Sequence, residues 1–276
     1  MKKIITITCL YFVSFFFACE KKEKSSNNPV NNANNGSPAL HVFGGRVRAQ
    51  ILGLSLVDGQ LWIGSGVAFD PADSGRLRSS LMKIDPDSGR VTDYEPLLPP
   101  LEYDFDGATL NGPAATAGVL QAGGRILAVS RAGLLEIREN EILTHPVVSE
   151  GSVVVPTGAA AGDGLFVTHE RGISLLDMDT LEEIRHWTQA EIGNAWAHSP
   201  AAAPDGSLFC ILVDADTGET SLAHVSREHL FRIRPADAGA ASGNFTALAA
   251  RPDRVEAYAA LASWQPDTPA LVAWNG

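Results

Sequence analysis

A short structural unit recurs five times from residue 40 onward, and this repeat limits the possible folds more than any other feature of the chain. Each unit has a strand of small residues, a tight polar turn and a strongly apolar strand. The turns are Asp58-Gly59, Gly123-Gly124, Asp163-Gly164, Asp205-Gly206 and Pro252-Asp253. Such turns between alternating apolar residues are typical of β-hairpins. Their spacings of 65, 40, 42 and 47 residues are similar to the length of a four-stranded propeller blade, about 40–50 residues.

Two further strands follow the hairpin in the first four units, whereas the fifth unit has only a third strand, at residues 271–274. The apolar segment 40–43 precedes the first unit and fits no other position. A ring with an open seam would expose sheet edges and core, so we expect this segment to complete the last blade. The predicted fold is all-β, a five-bladed β-propeller closed by pairing of N-terminal and C-terminal strands.

One predicted strand has a competing interpretation. The repeat places the fourth strand of the third unit at residues 181–184. Thr180 and Glu183 also match a helix capping box, and Leu181, Ile184 and Trp187 have helical spacing. Strand and helix both remain open here, and the repeat favours the strand. The first unit also contains two long insertions, at residues 66–78 and 96–115.

The turn between the third and fourth strands of the first unit reads Ile84-Asp-Pro-Asp-Ser-Gly-Arg-Val91. It resembles the corresponding turns of β-propellers of the pyrroloquinoline-quinone-like and surface-layer repeat type, and the resemblance spans most of residues 40–276. It implies a fold rather than an activity, because propellers serve as enzymes, binders and scaffolds alike. It implies no quinone site, because no matching cofactor residues are visible.

The N-terminus has the pattern of a secretion signal. Lys2 and Lys3 precede an apolar run at residues 4–17, which is shorter than the roughly 20 residues of a membrane span. Phe16-Phe17-Ala18-Cys19 resembles a lipobox, with Phe16 where leucine is usual. The resemblance implies a bacterial lipoprotein with a diacylglycerol on Cys19. An uncleaved anchor or cleavage by the general signal peptidase are the alternatives.

Three segments follow from this interpretation: a lipoprotein signal peptide at 1–18, the lipidated Cys19 with a flexible linker at 19–38, and the propeller domain at 39–276. The linker is rich in asparagine and serine and has little apolar surface to bury. We expect the protein to be a monomer in the cell envelope. The acyl group on Cys19 would hold it in a lipid bilayer, facing the periplasm or the cell exterior.

The net charge and the cysteine content limit which partners the protein binds and whether it contains disulfides or a reactive thiol. The formal net charge of −11 disfavours nucleic acid as a partner, because an acidic surface repels phosphate.

Of the three cysteines, Cys9 lies in the signal and Cys19 at the lipobox, so Cys210 remains alone and no disulfide framework exists. Its apolar surroundings predict a buried hydrophobic side chain rather than a reactive thiol.

Aspartate-rich loops are typical of calcium-binding sites, but none of those in this chain has the complete EF-hand pattern. Aspartate also favours turns, because its carboxylate accepts hydrogen bonds from the local backbone. We therefore expect no cofactor, with calcium as a possibility at Asp104 and Asp106 in the second insertion. No nucleophile elbow, phosphate loop or Cys/His zinc pattern is visible.

Function is expected on the face that carries the longer loops, since loops on a rigid scaffold usually hold binding residues. The candidate ligand-binding residues there are His169, Glu170, Arg171, Trp196, His198 and Trp264. The sequence assigns no catalytic residue. The leading hypothesis is a non-catalytic binding or scaffold module for a protein or carbohydrate. The alternative is an envelope hydrolase of sugars or lactones with carboxylates or calcium at the channel mouth.

Overall fold

The computed structural model describes residues 49–70, 72–105, 107–146, 156–239, 243–262 and 271–275. In these ranges the chain is all-β, with two 3-10 turns, Glu95–Leu97 and Pro235–Ala238, as its helical segments. Neither turn is long and apolar enough to cross a membrane. The strands in chain order are β1 (Ile51–Val57), β2 (Gln60–Ser65), β3 (Ala68–Asp70), β4 (Asp73–Arg78), β5 (Leu81–Ile84), β6 (Val91–Asp93), β7 (Pro100–Phe105), β8 (Ala108–Pro113), β9 (Thr116–Ala122), β10 (Arg125–Ser130), β11 (Gly133–Ile137), β12 (Ile142–His145), β13 (Thr157–Ala161), β14 (Gly164–His169), β15 (Gly172–Asp177), β16 (Glu183–Thr188), β17 (Ala195–Ala202), β18 (Leu208–Asp214), β19 (Thr220–Val225), β20 (Leu230–Ile233), β21 (Asn244–Ala250), β22 (Glu256–Ala262) and β23 (Leu271–Asn275).

Five antiparallel sheets form the five blades, which confirms the predicted fold class. The first blade has the order β1-β2-β5-β6, and the next three contain β9 to β12, β13 to β16 and β17 to β20 in sequential order. The fifth contains β21, β22 and β23. The first strands of successive blades pack against one another: β1 on β9, β9 on β13, β13 on β17 and β17 on β21. These are the inner strands of the propeller.

The hydrophobic core is divided into layers between neighbouring blades. Trp62 and Leu135 lie in the layer between the first and second blades, and Phe166 with Leu212 in the layer between the third and fourth. Burying each such side chain contributes roughly 1.5–3 kcal/mol. Cys210 lies in the same third-to-fourth layer as a free, fully buried thiol, and burial raises its pKa to about 12. The prediction of a buried hydrophobic cysteine is confirmed.

Two predicted boundaries need correction. The third hairpin turns at Gly162 and Asp163, one residue earlier than predicted, because Ala161 pairs with Gly164 and Gly162 takes the left-handed φ of 59°. The helix alternative at 180–187 is wrong. The outer strand β16 begins only at Glu183, because the preceding turn holds Leu181 at φ 61° and hydrogen-bonds its amide to the Asp177 carbonyl at 2.8 Å.

The predicted closing strand, residues 40–43, lies outside the described residues, so the end-to-end pairing stays a prediction. Within the described part, the fifth blade has three strands. The cluster of Ile63, Met82 and Ile84 belongs to the first blade alone. On β1, the side that faces away from β9 carries Leu54 and Leu56, which are 61% and 73% exposed. The first and fifth blades therefore share no buried cluster among the described residues.

The two insertions of the first unit form paired two-stranded ribbons rather than irregular loops. The strands β3 and β4 make the first ribbon, which connects β2 to β5. The strands β7 and β8 make the second, which connects β6 to β9. Antiparallel strands alternate in direction, so both connections leave the propeller at the same end. We call this end the ribbon face and the two ribbons together the ribbon lobe.

Candidate functional site

The ribbon lobe has a small core of its own. Leu77, 2% exposed, packs into the second ribbon at Gly112, where an added Cβ would lie 2.6 Å from the Leu77 Cβ. The Tyr103 hydroxyl donates to the Pro113 carbonyl at 2.9 Å and accepts from the Ala115 amide at 3.0 Å. Burial raises the pKa of this phenol. The Leu77 contact holds the first ribbon against the second, and the Tyr103 hydrogen bonds tie β7 to the end of β8.

An ion cluster fastens the first ribbon to the propeller. Arg78 donates Nε to Glu95 Oε1 at 2.5 Å and Nη2 to Glu95 Oε2 at 2.7 Å. Its remaining nitrogen, Nη1, donates to Asp70 Oδ2 at 2.9 Å. Glu95 is 7% exposed and the Arg78 side chain 18%. Paired hydrogen bonds between guanidinium and carboxylate are strong and directional, so the cluster holds the base of the first ribbon against Glu95.

A row of aromatic rings runs outward along this lobe. Its inner end is Tyr103, whose ring is covered by the Arg131 guanidinium from the β10–β11 turn, with 4.9 Å from Cζ to the ring centroid. Phe105 follows at 6.4 Å from Tyr103, and Phe69 of the first ribbon at 5.3 Å from Phe105. Phe69 and Phe105 are 45% and 37% exposed. The row ends in an exposed pair at the ribbon tips, which we call the aromatic tip.

His169 ends β14 at the ribbon face, and its ring is buried on the side of the third blade that faces the second. Its Nδ1 accepts from the Arg171 amide at 3.2 Å, so its proton lies on Nε2, 3.2 Å from Ser174 Oγ. The ring is 1% exposed. Burial, with His186 and Arg171 as smaller contributions, lowers the pKa of His169 to about 4. It is therefore a neutral donor at physiological pH.

Ser174 lies at the centre of a four-residue polar cluster. Its Oγ donates a hydrogen bond to Glu183 Oε2 at 2.8 Å and lies 3.1 Å from His186 Nδ1. Although serine, histidine and carboxylate are the components of many hydrolase sites, this hydroxyl is directed to Glu183 and is 1% exposed. The cluster joins the three strands β14, β15 and β16 and satisfies their buried polar groups, and it offers substrate no reachable nucleophile.

Trp196 and His198 form a separate pair on the inner strand β17. Their ring centroids are 5.3 Å apart, and His198 Nδ1 lies 2.8 Å from Ser199 Oγ. Burial lowers the pKa of His198. The alternating neighbours Ala195 and Ala197 belong to the core shared with the third blade, so this pair points away from that blade.

The predicted pocket residues thus fall into two groups on the ribbon face. The ring of His169 is directed toward the second blade, because its alternating neighbour Val167 lies in the core between the second and third blades. Trp196 and His198 point to the opposite side. Glu170 and Arg171 form the β14–β15 turn and are half-buried and exposed respectively, and Trp264 lies outside the described residues. Ligand binding by these residues stays a prediction.

The aspartate-rich loops of the described chain act as turns. Asp85 Oδ1 accepts the amides of Asp87 and Ser88, and Asp214 Oδ1 accepts those of Asp216 and Thr217. The hydrogen bond from the Ser88 side chain, followed by the Ser88 and Asp87 amides, lowers the pKa of Asp85, and the hydrogen bonds from Thr217 lower the pKa of Asp214.

Of the two calcium candidates, Asp104 Oδ1 accepts from Thr109 Oγ1 at 2.9 Å, and Asp106 lies outside the described residues. The described residues contain no group of three or more His, Cys, Asp or Glu side chains placed to share a metal ion. Calcium binding remains untested.

A cavity of about 190 Å³ lies between the inner strands and is lined mainly by small residues such as Gly53, Gly118 and Gly158. It is smaller than typical small-molecule sites of about 300–1,000 Å³. Two polar side chains in its wall are engaged, since Ser55 Oγ accepts the Val119 amide and Thr157 Oγ1 lies 2.7 Å from Thr168 Oγ1. These two side chains therefore already have hydrogen-bond partners within the protein.

Sequence reasoning expected function on the face with the longer loops but did not identify Phe69 and Phe105. The sequence did contain an indication, because each insertion carries a phenylalanine next to an aspartate, a residue that favours turns: Phe69-Asp70 and Phe105-Asp106. Aromatic side chains beside turns are poorly placed for a blade core. Only the contact between the two ribbons shows that these rings meet.

No protein-family model matches the chain, and no curated protein matches it. Among solved structures, it is similar to the calcium-binding protein regucalcin of Agrobacterium tumefaciens, with 15% identity, a TM-score of 0.43, and coverage of 84% of this chain and 78% of that one. It is also similar to an ancestral GH74 enzyme, with 11% identity, a TM-score of 0.46, and coverage of 83% and 39%.

A third similar structure is PorZ, a surface component of the type-IX secretion system of Porphyromonas gingivalis, with 12% identity, a TM-score of 0.42, and coverage of 76% of this chain and 23% of that one. The chain thus spans less than half of the GH74 enzyme and less than a quarter of PorZ. With similarity this low, no activity or residue role is carried from these proteins to this chain.

Proposed function

We propose that this protein is a lipid-anchored, non-catalytic binding module that holds a protein or carbohydrate partner on its ribbon face. The observation that carries the proposal is the aromatic tip: two exposed phenylalanine rings 5.3 Å apart on a lobe that is fixed by Arg78 and Leu77. Contiguous exposed apolar surface on a rigid support is characteristic of interaction sites. The Cys19 lipobox supports placement at a membrane surface.

Photo-crosslinking in intact cells tests this proposal. A p-benzoyl-phenylalanine at Thr109, an exposed position of the second ribbon, should give discrete crosslinked species. The same group at Ser88, in the β5–β6 turn at the opposite end of the propeller, should give none. Substituting both Phe69 and Phe105 by alanine should remove the Thr109 products. The matched control is Phe231→Ala on β20, which removes a single 59%-exposed ring elsewhere.

Equal crosslinking from Thr109 and Ser88, or products that survive the double substitution but not the Phe231 control, would overturn the proposal. The hydrolase alternative has one supporting observation, the contact of Ser174 with histidine and glutamate. A fluorophosphonate probe tests it directly. Labelling that is lost in Ser174→Ala would favour the enzyme, whereas the burial of this hydroxyl leads us to expect none.

A further inference from the structure

We infer that the aromatic tip docks a cationic segment of a partner protein, one that presents arginine or lysine side chains. This inference rests on the proposed binding function and adds the chemistry of the partner. Its starting point is the asymmetry of the aromatic row. The inner ring, Tyr103, is covered by the guanidinium of Arg131, whereas the outer rings, Phe69 and Phe105, are open to solvent.

The inner end of the row shows which chemistry suits the outer end. A guanidinium stacks on Tyr103 at 4.9 Å, within the range at which an aromatic ring attracts a cation. The same row continues through Phe105 to Phe69 without interruption, at 6.4 and 5.3 Å between centroids. A partner's guanidinium or ammonium placed over Phe105 or Phe69 would repeat this contact.

The charges around the tip favour the same ligand. Asp73, Glu102 and Asp104 are exposed on the two ribbons, and none of the three forms an ion pair within the described residues. Glu102 and Asp104 project from the side of the second ribbon opposite to Tyr103 and Phe105. Arg76 is the exposed cation of the first ribbon, while Arg78 is occupied by Glu95 and Asp70. The formal charge of the whole chain is −11. A basic partner would be attracted by this field, and an anionic one repelled.

Ring geometry disfavours a carbohydrate at this tip. Phe69 and Phe105 are inclined at 49° to each other, so they present no flat platform for a sugar ring. A tilted pair does accept the aliphatic stem of lysine or arginine, which packs against apolar surface while its charged end extends into solvent. The tip therefore combines exposed apolar surface with negative charge on the other side of the same ribbon.

Peptide titration tests the inference. The probes are the blocked octapeptides (Gly-Arg)₄ and (Gly-Glu)₄, together with a neutral xylan oligosaccharide, and the readout is the ¹H–¹⁵N NMR shift of ribbon amides in the folded domain. The arginine peptide should bind at least about fivefold more tightly than the glutamate peptide, and more weakly as salt rises. The double Phe69→Ala, Phe105→Ala variant should weaken binding about 5–10-fold, as expected for two exposed cation–π contacts.

A variant that lacks the ribbon carboxylates but keeps both phenylalanines provides an independent test. Replacing Asp73 and Asp104 by asparagine and Glu102 by glutamine should weaken the arginine peptide and flatten its salt dependence, while Phe231→Ala should change neither. Equal affinity for the two peptides, or binding that is insensitive to both ribbon variants, overturns the inference. So does shifting of the tip amides by the oligosaccharide alone. If these tests fail while crosslinking from Thr109 persists, the binding function stands and only the partner chemistry is rejected.

Discussion

The Arg78 guanidinium and the Glu95 carboxylate face each other through two parallel hydrogen bonds, 2.5 and 2.7 Å long, at the base of the ribbon lobe. Glu95 is 7% exposed, so its charge depends on this partner. Removing one member of a largely buried ion pair leaves an uncompensated charge. Arg78→Ala should therefore destabilise the lobe by roughly 2–4 kcal/mol.

Hydrogen-exchange mass spectrometry over residues 68–113 measures this effect, since it separates opening of the ribbons from unfolding of the blades. The control is Arg227→Ala, which removes an exposed ion pair to Asp163 of similar length, 2.7 Å. Exposed pairs contribute about 0–1 kcal/mol. If both variants leave ribbon protection unchanged, the ion cluster does not hold the lobe.

Gly53 allows the inner strands β1 and β9 to approach each other. A Cβ added at Gly53 would lie 1.4 Å from the Ala117 carbonyl oxygen, which is backbone and cannot rotate away. Gly53→Ala should cost about 3 kcal/mol or more, measured by urea unfolding. Gly66→Ala is the matched control, because its added methyl would meet Leu52 at an ordinary 3.6 Å. Equal midpoints for the two variants would contradict this close packing.

Sequence reasoning located the blades because the evidence for a strand is local. Alternating apolar residues and glycine turns specify a hairpin without reference to distant parts of the chain. The start of β16 was missed because Leu181 occupies a left-handed position where glycine is usual. That position follows from the Asp177 turn and from burial of the leucine side chain.

The site was harder to predict, because its contacts join residues that are far apart in sequence. Phe69 and Phe105 meet only when two insertions fold onto each other. The pairing of His169 with Ser174 was accessible in principle, since a hairpin turning at Glu170 and Arg171 places both on one side of the sheet. The direction in which Trp196 points depends on blade packing, which no local pattern reveals.

Ring closure gives a prediction about stability. If residues 40–43 complete the fifth blade, a mature protein that lacks residues 39–48 should melt at a temperature lower by about 5 °C or more. A deletion of residues 25–34 in the predicted linker is the control, and it should leave the melting temperature unchanged. Circular dichroism at 218 nm follows both transitions. The same melting temperature for all three proteins would refute closure by this segment.

Lipidation gives a prediction about Cys19. In cells fed an alkyne fatty acid, the wild-type protein should become labelled. The Cys19→Ala variant should stay unlabelled and should be released in soluble form. Cys210→Ala is the matched control, because that thiol is fully buried and should leave the labelling intact. Labelling that persists in Cys19→Ala would reject the lipobox.

The neutral state of His169 predicts how stability changes with pH. Its pKa is about 4 in the folded protein, against an ordinary value of 6.5. Between these values the unfolded chain binds more protons than the folded one, so acid favours unfolding. The contribution of His169 is fully present above pH 6.5 and is lost as the pH falls toward 4.

Over that interval His169 should steepen the pH dependence of the unfolding free energy by about 1 kcal/mol per pH unit. His169→Gln keeps a polar side chain near Ser174 but cannot titrate, so it should reduce the slope by about that amount. The comparison uses the slope of urea-derived stability between pH 6.5 and 4.5, because the absolute stability also reflects the altered hydrogen bond. His229→Gln, at a largely exposed ring, serves as the control. An unchanged slope in His169→Gln would show that His169 does not titrate differently in the folded and unfolded states.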